Sequence, residues 1–143
     1  MTDREKVLDK INNGKPVKAI QYVRLEHDSK LQRNNIWANN GTDLCRAFLA
    51  EHPNVALVEY PYVDCRYSTR NLRDRMGWVA MQCHLDDEDI DMVIVDDMHD
   101  MISSIADALE TSFLFERPGL VVYEAKSMTL YDSSTPISMC LAC

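Results

Sequence analysis

The sequence predicts an α+β fold in which an antiparallel sheet of about five strands packs against one long and one shorter helix, behind a polar N-terminal extension. Three observations predict it: three strand-like segments in a row, a long helical pattern after them, and a strand-like pair closing the chain. Strands in runs, with helices segregated, are typical of this class. The 143 residues, 46% of them hydrophobic, suit a single domain. We divide it into an extension, residues 1–40, and a core, residues 41–143.

The extension is predicted to hold little regular structure. "DREKVLDKI" has the pattern of a short helix, which "NNGKP" ends. "VKAIQYVRLE" is rich in β-branched and aromatic residues and is predicted as a strand. The stretch "HDSKLQRNNIWANNG" contains four asparagines and a glycine and is predicted as a loop.

The core begins with the shorter helix. Thr42 or Asp43 can cap "DLCRAFLAEH", and Pro53 ends it. Three predicted strands follow, "VALVEY", "YVDCRYS" and "GWVAMQCHL". In the third, alternate residues separate into two faces, one of them formed by Val79, Met81, Cys83 and Leu85. That period of two is expected of a half-buried strand.

The long helix is predicted over residues 88–111. Apolar residues recur there at steps of three and four, at Ile94, Met98, Met101, Ile102, Ile105 and Leu109. The acids of "DDED" precede this stripe, where the helix dipole favours negative charge. Residues 119–143 are then predicted to form a closing hairpin around "YDSSTP".

Charge is divided unequally along the chain. Residues 1–75 hold thirteen Lys and Arg against ten Asp and Glu, whereas residues 76–143 hold two against thirteen, so the two parts carry +3 and −11. A nucleic-acid binder needs clustered positive charge facing the phosphates. Binding of a nucleic acid along the chain, and sequence-specific recognition of one, are therefore not expected. The N-terminus alternates charges and no long apolar run occurs, which predicts neither a signal peptide nor a membrane span.

Two charged sets are candidate contact residues. "CRYSTRNLRDRMGW" is either a solvated hairpin tip or an arm that grips an acidic surface. The acids of "DDMHD" are predicted on the solvated face of the long helix and could supply that surface in a neighbouring subunit. The predicted subunit or partner contacts are Arg66, Arg70, Arg73, Arg75, Asp96, Asp97 and Asp100.

No pattern predicts catalysis, a cofactor or a metal. The four glycines form no phosphate loop, and no paired acid and base stands out, so the chain is not expected to be an enzyme. "CLAC", with Cys140 and Cys143, could bind zinc or do redox chemistry. Residues three apart on a strand point to opposite faces, however, and no second C-x-x-C follows. Ordinary strand cysteines are the simpler hypothesis, and cross-linking of Cys143 to a neighbour stays open.

The layout of residues 42–143, with "VALVEY", "GWVAMQCHL" and a last hairpin carrying Tyr131 and Asp132, resembles the tail terminator family of long-tailed bacteriophages. That resemblance implies a structural protein, made in the host cytoplasm and then part of the virion. It would form a ring, usually a hexamer, that caps the tail tube and joins it to head and neck proteins. The alternative is a small acidic inhibitor that mimics DNA, since residues 76–116 contain no Lys or Arg.

Overall fold

The structure is a computed structural model that describes residues 1–27, 29–65, 72, 75–102 and 104–134. Its helices are α1 (Asp3–Asn12), α2 (Lys30–Ala38), α3 (Asp43–Glu51), α4 (Met76–Asp87) and α5 (Ile105–Ser112). Its strands are β1 (Val17–Leu25), β2 (Val55–Leu57), β3 (Tyr62–Cys65), β4 (Met92–Val95), β5 (Val121–Glu124) and β6 (Thr129–Tyr131). Short 3₁₀ turns cover Met98–Asp100 and Leu114–Glu116.

The sheet is mostly parallel, which makes the predicted antiparallel α+β fold wrong. Its order is β2-β1-β4-β5-β6, with β3 also paired to β1, and it has six strands. β1 runs parallel to β2, β3 and β4, and β4 runs parallel to β5. β5 and β6 are antiparallel. Parallel neighbours need crossover connections, which the helices supply, so the fold is a mixed α/β sheet.

Helices cover both faces of this sheet. On one face, β1 and β4 contribute Ile20, Val93 and Val95 to a core shared with α4 and α5. On the other, Ala19, Met92 and Ile94 pack with residues of α1 and α3. Central strands of a parallel sheet are buried on both sides and therefore appear as continuous apolar runs. "MVIV" in β4 is such a run.

Residues 76–87 form a helix instead of the predicted third strand. Trp78, Met81 and Leu85, spaced by three and four, are buried in the core. Val79, which the alternating pattern placed with Met81, is exposed. The prediction was wrong because a period of two and a period of 3.6 share several positions in so short a segment.

The predicted long helix is also wrong, since residues 92–112 form β4, a 3₁₀ turn and α5. Ile94 lies in the sheet, while Ile105 and Leu109, assigned to the buried stripe, point to solvent. An apolar run of four residues has no period of its own, so steps of three and four can be drawn through it by coincidence.

Residues 1–40 are not an extension. The predicted helix α1 and strand β1 are confirmed, and β1 lies inside the sheet between β2 and β4. The predicted loop instead contains α2, whose cap is Ser29, accepting from the backbone N–H of Gln32 (3.2 Å). α2 buries none of its residues and is held by the Trp37 indole, which donates to the Pro61 carbonyl (2.9 Å).

The remaining predictions differ in outcome. The helix α3 with its Thr42 cap, and strands at β2 and β3, are confirmed. The part of the predicted closing hairpin beyond residue 134 lies outside the described residues, and within them β5 pairs with β6 in a hairpin that turns at residues 125–128. Cys140 and Cys143 lie outside the described residues. In the described part of the chain, no helix has the length and apolar character needed to cross a bilayer.

Candidate functional site

The carboxyl ends of β1 and β4 mark the place where an open parallel sheet usually binds ligands. In the strand order, β1 has β2 as its neighbour on one side and β4 on the other, and β3 also pairs with β1. Ligands of such sheets bind in the crevice where the strand order reverses. Residues 96–100 follow β4 at this edge, and we call them the acidic loop because they include Asp96, Asp97 and Asp100.

The acidic loop is held by backbone contacts to its neighbours. The Met98 N–H donates to Glu124 Oε2 (2.6 Å), and the Lys126 N–H donates to the Asp96 carbonyl (2.9 Å). Asp97 Oδ1 accepts from the His99 N–H (2.9 Å), and its other oxygen lies 3.2 Å from Lys126 Nζ. The loop is therefore anchored to the β5–β6 hairpin.

Asp96 joins three elements through one carboxylate oxygen. The Thr42 hydroxyl donates to Asp96 Oδ1 (2.6 Å) and accepts from Gln21 Nε2 (2.8 Å). The same hydroxyl caps α3 by accepting from the Cys45 N–H (3.4 Å). β1, α3 and the acidic loop are thus connected at the N-terminus of α3.

Beneath the acidic loop lies a buried charged network centred on Arg75. Its Nη2 donates to Asp107 Oδ2 (3.3 Å), and its Nη1 donates to the Asp100 carbonyl (3.1 Å) and to the Tyr22 hydroxyl (3.4 Å). Asp107 also accepts from the Leu72 N–H (2.9 Å). The side chains of Arg75 and Asp107 are 0% and 1% exposed. The expectation that Arg75 is a surface contact is therefore wrong.

Asp64 of β3 caps α4 from outside the helix. Arg75, at the N-cap, makes no side-chain cap, and Asp64 instead accepts from the N–H groups of Gly77 (2.8 Å) and Trp78 (2.9 Å). The Tyr22 hydroxyl donates to Asp64 Oδ2 (2.9 Å). Burial, and then the Asp64 charge, raise the pKa of Tyr22 well above its ordinary value, so the hydroxyl stays protonated. A Cβ on Gly77 would lie 2.9 Å from Asp64 Oδ2, which leaves room for glycine alone without rearrangement.

The acids of the loop differ in their proton affinity. Burial, followed by the charges of Asp96 and Asp97, raises the pKa of Asp100 to about 7. Burial also raises the pKa of Asp96. For Asp97, burial acts in the same direction, but the hydrogen bonds from His99 and Lys126 outweigh it and lower the pKa. The loop therefore contains a carboxyl group that changes charge near neutral pH.

We expect the stability of the protein to depend on the ionisation of Asp100. Between its ordinary pKa of 3.8 and about 7, folded Asp100 keeps a proton that the unfolded chain has lost. The free energy of unfolding should consequently fall as pH rises from about 4 to 7, by on the order of 2 to 4 kcal/mol, and then level off. Urea unfolding of the wild type and Asp100→Asn across this range measures it. A difference between the two proteins that does not change with pH would contradict the assignment.

A second polar cluster connects β3 to α4. The Tyr62 hydroxyl lies 2.7 Å from His84 Nδ1, and His84 Nε2 lies 3.5 Å from Glu88 Oε2. Burial, followed by the charge of Glu59, raises the pKa of Tyr62, so its hydroxyl keeps its proton. The cluster holds the helix against the strand.

A groove of about 530 Å³ opens beside the acidic loop, between the end of β1, α2 and the start of α3. Its polar lining includes Gln32, Asn35, Thr42, Asp43 and Arg46. Arg46 pairs with Asp43 across one helical turn. Among the residues that the structure describes, no group of three or more His, Cys, Asp or Glu side chains is placed to hold a metal ion.

Sequence reasoning found part of this site. Asp96, Asp97 and Asp100 do come together, although on a loop and not on a helix face. Arg66, Arg70 and Arg73 lie outside the described residues. The reasoning missed four polar residues within or beside apolar segments, which are Gln21, Tyr22, Asp64 and Asp107, and it named Thr42 only as a helix cap. The only available signal was Gln21 in "VKAIQYV" and Asp64 in "YVDC", polar side chains inside predicted strands.

Comparison with known proteins gives a likeness in fold. No family model matches the chain, and no curated protein matches it. Among solved structures it is similar to the N-terminal catalytic domain of TP901-1 integrase, with a TM-score of 0.57 and 14% identity over 87% of this chain and 92% of that one. At this identity the likeness concerns the fold alone.

The likeness corrects the functional prediction. The tail terminator hypothesis depended on an antiparallel layout in which residues 76–87 were a strand and residues 88–111 a helix. The mostly parallel sheet, shared with an integrase catalytic domain, overturns that layout and the function drawn from it. The inhibitor alternative, which was based on the absence of Lys and Arg from residues 76–116, gains no support from a fold shared with an integrase catalytic domain.

Proposed function

We propose that this chain uses an integrase-like α/β fold as a binding domain, and that the acidic loop receives a cationic side chain of a partner protein without catalysing a reaction there. The observation that carries the proposal is the fixed grouping of Asp96, Asp97 and Asp100 at the carboxyl edge. The integrase catalytic domain supplies the precedent for the fold. The negative charge of the acidic loop favours binding of a cationic side chain.

The carboxylates of the acidic loop repel one another when all three are ionised. Asp96 and Asp97 are held by hydrogen bonds to Thr42, His99 and Lys126, so they cannot move away from Asp100. Burial, and after it the like charges of Asp96 and Asp97, disfavour ionisation of Asp100 and raise its pKa. An incoming Lys or Arg would relieve that repulsion, and its binding would favour the ionised form of Asp100.

The cations that the structure describes near this edge face carboxylates of the protein, and one of them, Arg24, lies close enough to Asp100 to favour its ionised form. Arg75 is buried against Asp107, Lys126 pairs with Asp97, and Arg46 pairs with Asp43. A phosphodiester would meet carboxylates at this edge, and the chain as a whole carries a net charge of −8. Nucleic-acid backbones are bound by unpaired positive charge. A basic protein segment suits the site better than a nucleic acid.

The test is binding of a short, labelled Lys- and Arg-rich peptide, followed by fluorescence anisotropy. We expect binding to strengthen as pH rises from 5 to 8 and to weaken with salt. Asp100→Asn should weaken it by about three- to tenfold, a loss of about 0.7 to 1.4 kcal/mol. Glu5→Gln, which removes the same charge from an exposed position on α1, is the matched control and should have little effect.

Two results would oppose the proposal. Equal binding by wild type and Asp100→Asn would show that only the overall negative charge attracts the peptide. Tight binding of duplex DNA at about 0.15 M salt would show that phosphate reaches a positive surface, and the proposed exclusion of nucleic acid would be wrong.

A further inference from the structure

The helices α4 and α5 lie side by side on one face of the sheet. At their start, Arg75, which precedes α4, binds Asp107 in the first turn of α5. At their other end, Arg117, which follows α5, donates to Gln82 (3.0 Å) and pairs with Asp86 (2.8 Å), both in α4. Because the pair is tied at both ends, the outward sides of the two helices form one continuous surface, which we call the outer face.

The outer face carries two exposed apolar stripes. On α5 and just after it, large side chains recur every four residues, and Ile105, Leu109 and Phe113 are 84%, 63% and 49% exposed. On α4, Met76 and Val79 are 81% and 42% exposed, and the exposed Cys83 continues their line. Single exposed apolar residues are normal, but two parallel stripes on neighbouring helices are typical of an interaction surface.

Most charges of the described residues around these stripes are negative, and the cation that follows α5, Arg117, is paired with Asp86. Residues 76–116 contain no Lys or Arg. The stripe of α4 ends in the exposed Asp86 and Asp87, and Glu116 lies beyond the stripe of α5 in the same direction. A partner of the outer face therefore gains most if it places positive charge beside its own apolar residues.

We propose that the outer face docks an amphipathic helix whose apolar stripe is flanked by Lys or Arg residues. The spacing of Ile105, Leu109 and Phe113 lets an incoming helix lie along the exposed stripe of α5, with its anchors at three- and four-residue steps. A second copy of this chain fits less well, because two molecules that each carry a charge of −8 would place their acidic side chains against one another at the outer face. This surface is separate from the acidic loop and does not depend on the function proposed for it.

The probe is a synthetic helical peptide of about 18 residues with a leucine stripe flanked by lysines. Its matched form carries glutamates in place of the lysines. Binding to the full chain is followed by anisotropy, and the mass of the chain alone is followed by sedimentation. We expect the lysine peptide to bind at least about tenfold more tightly than the glutamate peptide.

Two variants locate the binding. Ile105→Gln with Leu109→Gln removes the centre of the α5 stripe without changing charge or touching the core, and it should weaken binding by about tenfold or more. Leu31→Gln removes an equally exposed apolar side chain (71% exposed) on α2 and should have no effect. Asp100→Asn should change this affinity by less than about twofold, so failure here and failure of the acidic-loop proposal can be distinguished.

Three results would overturn the inference. Equal binding of both peptides would remove the charge argument. Equal loss in the Leu31 variant would show that any exposed apolar residue suffices. Dimers of the chain that dissociate in the double variant would assign the outer face to a second copy, which is also the outcome that the sequence-based expectation of self-association requires.

Discussion

Arg75→Met should lower the free energy of unfolding by about 3 to 5 kcal/mol, because it removes the cation of the buried ion pair with Asp107. The same change removes donors from the Asp100 carbonyl and from the Tyr22 hydroxyl. Methionine retains much of the volume, so the loss should come mainly from the broken ion pair. Urea unfolding followed by circular dichroism at neutral pH measures it.

A second substitution separates charge from packing. Asp107→Asn in the Arg75→Met background removes the negative charge of Asp107. It keeps an oxygen that can accept from the Leu72 N–H. We expect it to recover about half of the lost free energy. If Arg75→Met alone changes stability by less than about 1 kcal/mol, Arg75 is a surface residue after all and the buried network is wrong.

Trp78→Ala should lower the free energy of unfolding by about 3 to 5 kcal/mol, since it empties the centre of the core between α4 and the sheet. The Trp78 ring is 1% exposed and meets the Tyr22 ring edge-on, with centroids 5.3 Å apart. Its neighbour Val79 is turned about 100° around the helix axis and is 42% exposed, so Val79→Ala should change stability by about 0.5 kcal/mol or less. Thermal and urea unfolding of the two variants compare the effects directly.

This pair of variants also decides between helix and strand for residues 76–87. On a strand, Val79 and Met81 would share the buried face and Trp78 would lie on the other. A larger loss for Val79→Ala than for Trp78→Ala would therefore contradict α4. No such reversal is expected, because Trp78, Met81 and Leu85 share one face at helical spacing.

Charge alone drew attention to part of the candidate site in the sequence. The acids of "DDMHD" were recognised as a surface feature, and they lie together at the carboxyl edge. Their position was missed because it depends on β4 being a strand, and "MVIV" has no period that identifies it as one. Arg75 was assigned to the surface together with its neighbouring arginines because local charge does not reveal a buried partner.

Local signals by themselves determined several elements of this protein. Thr42 before "DLCRAFLAEH" predicts the start of α3, and "NNGKP" predicts the end of α1. The β-branched residues of "VKAIQYVRLE" predict β1. Helix caps, helix breakers and strand propensity all act within a few residues. Only the tertiary structure decided the parallel sheet and the buried Arg75. Strands β1 and β4 pair across more than 70 positions, and Arg75 finds Asp107 at a separation of 32. Contacts between residues so far apart in the sequence form only when the whole chain folds. A local sequence pattern therefore cannot show which residues will be partners.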